Sequence, residues 1–158
     1  MVGRVVVIMG SGSDEGFTDP IVKTLRALGV EVECRVASAH KTPRKLLQIL
    51  EENEGRNPLV YITVAGLSNA LSGLVDANTT HPVIACPPVS GGFESVDVFS
   101  SLRMPRGVAP LLVLQPENAA LAAAKILGMA DPALRGRVEA YQKGMRDRVG
   151  KDDEKVRY

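Results

Sequence analysis

The sequence predicts an α/β fold in which helices cover both faces of a parallel β-sheet. Short apolar runs alternate with segments of helical periodicity along the chain. The runs are almost continuously apolar, as strands buried on both sides require. None is joined to the next by a hairpin signal, so each connection is a crossover of the right-handed kind that returns a chain to a parallel sheet.

The first strand covers residues 5–9 and is followed by Gly10-Ser11-Gly12-Ser13-Asp14. A helix over about 20–28 comes next, with Pro20 in its first turn and Gly29 ending it. Residues 30–36 form the second strand. A second helix over 42–53 has Thr42 as its cap, Pro43 at its first position, and Leu46, Leu47, Ile49 and Leu50 as an apolar face. Residues 59–64 form the third strand, and Ala65-Gly66-Leu67-Ser68-Asn69 turns the chain into a helix reaching about Asp76. A short fourth strand covers 82–86. The prolines and glycines of 87–92 cannot continue it and mark a loop. Residues 96–102 look helical, 104–107 form a turn, and 111–114 form a fifth strand. The alanine-rich stretch 118–127 is a helix suited to close packing. A last helix over 132–149 carries Leu134, Val138, Tyr141 and Met145 as a stripe for its own domain or for a neighbouring copy. The expected organisation is one domain over 1–150 and a charged, frayed tail over 151–158.

At 158 residues and 45% hydrophobic content, the chain can bury a core without disulfides or a structural metal. Its net charge of +1, with 4% aromatic residues and no tryptophan, offers neither a basic stripe nor a stacking platform for nucleic acid. No run of about 18 apolar residues suggests a membrane span. The start of the chain has no signal-peptide pattern, so cytoplasm is the expected compartment. Cys34 and Cys86 lie in or beside strands without Cys-x-x-Cys spacing and read as buried thiols. The two dispersed histidines, His40 and His81, make no metal site, and His81 reads as a structural or surface residue.

Ligands of open parallel sheets bind beyond the carboxyl ends of the strands. Three loops map there: 10–14, 38–41 and 65–69. The first offers backbone donors, two hydroxyls and a carboxylate. Its glycines let the backbone approach a phosphate, while Asp14 suits ribose hydroxyls better than an anion. It is neither a full dinucleotide fingerprint nor a phosphate loop ending in Gly-Lys-Ser/Thr, so nicotinamide and ATP chemistry are not indicated. In Ser38-Ala39-His40-Lys41-Thr42-Pro43, a helix start and Lys41 favour an anion, and His40 can exchange a proton near neutral pH. No nucleophile elbow supports serine hydrolase chemistry.

Val7-Ile8-Met9-Gly10-Ser11-Gly12-Ser13-Asp14, together with Ser38-Ala39-His40-Lys41-Thr42-Pro43, resembles the phosphoribosylaminoimidazole carboxylase catalytic subunit family over about residues 5–128. The resemblance implies a flavodoxin-like three-layer α/β/α sandwich, a role in purine synthesis, and a homo-oligomer, commonly an octamer. The family has a mutase class, which rearranges N5-carboxyaminoimidazole ribonucleotide, and a class that carboxylates aminoimidazole ribonucleotide with CO2. The mutases usually carry Ser-Ala-His-Arg and a later Gly-Gly-Ala-Ala-His-Leu-Pro-Gly loop. Lys41 and the histidine-free Ala65-Gly66-Leu67-Ser68-Asn69-Ala70-Leu71-Ser72-Gly73 look like the direct class instead. By this resemblance Ser11, Ser38 and Lys41 hold phosphate, and Asp14 holds ribose. Gly66 and Ser68 line the pocket for base and carboxylate, and His40 shuttles the C4 proton. No ATP, biotin, metal or other cofactor is implied. The alternatives are the mutase and a non-catalytic nucleotide-binding module.

Overall fold

In the computed structural model, which describes residues 3–89 and 94–157, β1 (Arg4–Met9) shows why the sheet must be covered twice. Val5, Val7 and Met9 turn into one buried cluster, and Val6 and Ile8 turn into the other. The strand β3 (Leu59–Val64) repeats this with Val60, Ile62 and Val64 against Leu59 and Tyr61. With β2 (Glu31–Val36), β4 (Val83–Ala85) and β5 (Leu111–Leu112), they form one five-stranded sheet in the order β2-β1-β3-β4-β5. Every pairing is parallel, and Val7 stands level with Cys34 on one side and Ile62 on the other.

Three layers result, as in a flavodoxin-like sandwich. Helices α1 (Glu15–Ala27), α2 (Pro43–Asn53) and α3 (Leu71–Asp76) are joined by the short α4 (Glu94–Asp97) and α5 (Phe99–Leu102), then α6 (Pro116–Leu127) and α7 (Pro132–Val156). Ile21 and Leu25 of α1, the alanines of α6, and Leu134 and Val138 of α7 pack on one sheet face. Leu46, Ile49 and Leu50 of α2 and Leu71 and Val75 of α3 pack on the other. Burying each such aliphatic side chain contributes about 1.5–3 kcal/mol relative to leaving it in water. Ala119, Ala120, Ala123 and Ala124 are fully buried, so α6 approaches its neighbours as closely as methyl groups allow.

Several boundaries differ from the sequence expectation. The helix expected from Pro20 begins five residues earlier, at Glu15, after a single 3-10 turn at Gly12–Asp14. Pro20 therefore sits inside α1 rather than in its first turn. The i, i+4 spacing of Phe17, Ile21 and Leu25, which all pack into one cluster, holds the helix through the proline. The helix expected over 96–102 is two short pieces separated at Val98. The loop expected over 87–92 lies partly outside the described residues, which omit 90–93. The fifth strand is two residues long and, among the described residues, pairs with β4 alone.

Two further expectations are corrected. Cys34 is exposed, because β2 is an edge strand whose pattern of exposure leaves it open to solvent; Cys86 is buried as expected. The charged stretch after Val149 continues α7 as exposed helix to Val156 instead of fraying. Only the first turns of α7 are covered: Leu134 and Val138 are buried, whereas Met145 and Val149 are exposed.

The close seating of α6 makes a stability prediction. Ala123→Leu inserts three carbons where none fits and should lower the unfolding free energy by about 1–3 kcal/mol. Urea unfolding checks this, with an unchanged denaturant slope and an earlier midpoint as the expected outcome.

Candidate active site

The loops that follow β1, β2 and β3 leave the same edge of the sheet and enclose one cavity of about 560 Å³. Ser11, Asp14, Ser38, His40, Lys41, Gly66 and Ser68, all expected from the sequence, line it together. The strand order explains the convergence. The chain runs outward from β1 to β2, then back across β1 to β3, and a crevice opens where the direction switches.

The first loop is shaped by its own hydrogen bonds. Ser11 Oγ accepts from the Ser13 amide at 3.3 Å, and Asp14 Oδ2 accepts from the Ser11 amide at 3.0 Å, which is a capping box around the 3-10 turn. Ser13 Oγ donates to Ser11 Oγ at 3.0 Å. Partial burial pushes the Asp14 carboxyl up from its ordinary value, and the bond from the Ser11 amide works against that shift. Gly10 is a glycine for a local reason. Its amide donates to the Val64 carbonyl at 2.8 Å, and a Cβ there would lie 3.2 Å from the Ala65 methyl. The loops after β1 and β3 can therefore touch.

In the second loop, Thr42 does not cap α2 as the sequence suggests. Its hydroxyl accepts from the Ser38 amide at 2.9 Å and lies 3.3 Å from the Ser38 carbonyl. Ser38 Oγ accepts from the Lys41 amide at 3.2 Å. This closed turn presents His40 and Lys41, both exposed, on the cavity wall. The first amides of α2 keep no side-chain cap, so the positive end of its dipole stays available two residues beyond Lys41.

The third loop holds what the sequence reading missed. Leu67 is 73% exposed, lines the cavity, and has φ of +56°, a left-handed conformation that costs a branched or bulky residue about 1–2 kcal/mol. The next residue, Ser68, is exposed, and Asn69 is buried at 5% exposure. Asn69 Nδ2 donates to Ser72 Oγ at 2.7 Å and to Ser101 Oγ at 2.9 Å, and Asn69 Oδ1 accepts from the Ser72 amide at 3.2 Å. Ser72 Oγ in turn lies 2.9 Å from Thr63 Oγ1 on β3. The only sequence signal for this network is the clustering of small polar residues at 68–72 and 100–101, which any solvated turn also shows. Gly10, Ser13, Ala39, Ala65, Ala70, Leu71 and Pro88 complete the lining.

Two residues stand apart. His81 lies in the turn before β4, its ring tilted 58° and 6.3 Å from that of Tyr61, outside the cavity. The Cys86 thiol is pushed up to about 12 by burial and stays protonated at neutral pH.

Comparison with known proteins finds a family match for this fold and cavity. The profile of the AIR carboxylase family matches residues 4–148. A phosphoribosylaminoimidazole carboxylase of Archaeoglobus fulgidus is 51% identical over 154 residues, 98% of this chain and 85% of that one. One of Treponema denticola is 44% identical over 97% of each chain. The crystal structure of Treponema denticola PurE superposes with a TM-score of 0.96 at 43% identity, covering 99% of both chains.

The capping box generates a test on the protein alone. Asp14→Ala removes the acceptor of the Ser11 amide and should cost about 0.5–1.5 kcal/mol of stability. Asp14→Asn keeps an acceptor and should cost less, as urea titration of the two variants will show.

Proposed function

We propose that this chain, which belongs to the AIR carboxylase family, catalyses the reversible carboxylation of 5-amino-1-(5-phospho-ribosyl)imidazole at C4 by CO2, in purine biosynthesis. The observation that carries the mechanism is the meeting of the three loops. Of the two histidines in the chain, only His40 lines the cavity, beside the hydroxyls and cation suited to a nucleotide phosphate.

Ser11, Ser38 and Lys41 hold the phosphate, helped by the uncapped start of α2. Asp14 accepts from the ribose hydroxyls. The base lies along Gly66 and Ser68. The exocyclic amine pushes electron density to C4, which attacks the carbon of CO2 and forms the new C–C bond. His40 then takes the C4 proton as the ring regains aromaticity. In the reverse direction protonated His40 delivers a proton to C4, and CO2 leaves with the C–C bond electrons returned to the ring. The protein's part is orientation and proton transfer in a confined cavity.

Membership of the direct class is supported by the third loop. Ala70, which lines the cavity, stands where the mutase pattern has histidine, as the matching Gly66, Leu71 and Gly73 show. The neighbouring Asn69 side chain is spent inside the protein on Ser72 and Ser101. No second imidazole reaches the cavity there to handle a carbamate. Assembly into a homo-oligomer, an octamer as is common in the family, is supported by the apolar side chains left in solvent. Phe99 is 61% exposed, Leu102 54% and Leu111 50%. Among the described residues no helix is long and apolar enough to cross a membrane. A cytoplasmic location accords with a substrate that is a soluble ribonucleotide.

Two experiments test this reading. Purified protein without ATP is given aminoimidazole ribonucleotide with bicarbonate and CO2, or N5-carboxyaminoimidazole ribonucleotide with free CO2 scavenged. Carboxyaminoimidazole ribonucleotide in the first reaction alone is the expected result, and product in the second alone makes the chain a mutase. His40→Asn should lower turnover by about 100-fold or more while nucleotide affinity by calorimetry changes only a few fold. Retained turnover would remove the proton shuttle from His40.

A further inference from the structure

We propose that Ser100, which does not line the cavity, is a positioning residue that clamps the third loop in its working conformation. This rests on the carboxylase reading of the same site. Leu67 holds a left-handed backbone with no glycine to ease it, in full view of solvent. Its side chain makes no buried packing that would hold it there, so backbone hydrogen bonds must do so.

The bonds come from α5, a helix of four residues far away in sequence. The Asn69 amide donates to Ser100 Oγ at 3.0 Å, and the same hydroxyl lies 3.2 Å from the Leu67 carbonyl and 2.7 Å from that of Asp97. One hydroxyl therefore bridges the Leu67 carbonyl and the Asn69 amide, across Ser68 and directly after the strained residue. Its neighbour Ser101 accepts from the Asn69 side chain, so consecutive residues of α5 grip the backbone and the side chain of one residue. Through Ser72 the grip reaches Thr63, which is buried in β3, the strand from which the loop departs. The loop is thus pinned at the Leu67 carbonyl and at Asn69, directly after the left-handed residue.

Gly66 and Ser68 flank Leu67 and line the cavity. If Leu67 relaxes to an ordinary backbone conformation, both neighbours swing with it, and the base loses the surface that orients C4 toward CO2 and His40. The phosphate and ribose contacts belong to the other two loops and stay. Loss of the clamp should therefore lower kcat and spare KM.

The experiment compares wild type, Ser100→Ala and Ser100→Thr for carboxylation kinetics, amide hydrogen exchange and thermal unfolding. Ser100→Ala should lower kcat about tenfold or more with the nucleotide KM within about threefold, since misplacement by about 1 Å suffices for such losses. Exchange at Asn69 should speed up while the amides of β1 and β3 stay protected. Ser100→Thr restores the hydroxyl and should recover kcat to within about threefold of wild type. A kcat for Ser100→Ala within about twofold of wild type overturns the clamp, as does a loss that the threonine does not recover. Should wild type fail to carboxylate at all, the reading of function falls, and exchange alone decides the clamp. Faster exchange confined to 67–70 then upholds it, and unchanged protection at Asn69 overturns it.

Discussion

The architecture depends on β1 and β3 lying side by side with both faces buried. Neither strand can be left half in water, because Val6 and Ile8 are as fully buried as Val5 and Val7. Each face therefore needs its own helices. Crossovers of one hand supply them only if the chain leaves the central pair in opposite directions. Going outward to β2 puts α1 on one face, and coming back to β3 puts α2 on the other. The same divergence parts the connections at the carboxyl ends and leaves the crevice. Core and cavity are thus two results of one constraint.

The walls of that cavity are held by hydrogen bonds made within the protein, so their shape does not wait for a ligand. The first two loops close on themselves within five residues, through Ser11 with Asp14 and through Ser38 with Thr42. The third closes locally between Asn69 and Ser72, only beyond its left-handed Leu67. It borrows partners about thirty residues away, on α5. This division suits the proposed chemistry. Phosphate and ribose need fixed donors and acceptors near the backbone, whereas orientation of a reacting ring needs a surface braced from outside.

Much of the site was legible because it is written in short motifs. The residues of Gly10-Ser11-Gly12-Ser13-Asp14 and of Ser38-Ala39-His40-Lys41 are neighbours in sequence and sit where a strand ends, so their shared position follows from the alternation of strands and helices. Asn69 and Ser100 were not legible in that way. Their partnership joins two loops with no common pattern, and each residue taken alone is an ordinary turn or helix residue. Thr42 shows the opposite failure. It occupies a capping position, yet its hydroxyl finds a better partner in the preceding turn, which propensity at the helix start cannot register.

Local pattern settled the number and kind of the elements, since apolar periodicity and turn chemistry act over a few residues and leave their mark in the chain. It also settled which polar groups stand at strand ends. The order of the strands belongs to the packed whole. That order made β2 an edge strand and exposed Cys34. It also brought three separate loops around one cavity, because the distance between loops depends on which strands are neighbours and not on how far apart they lie in sequence.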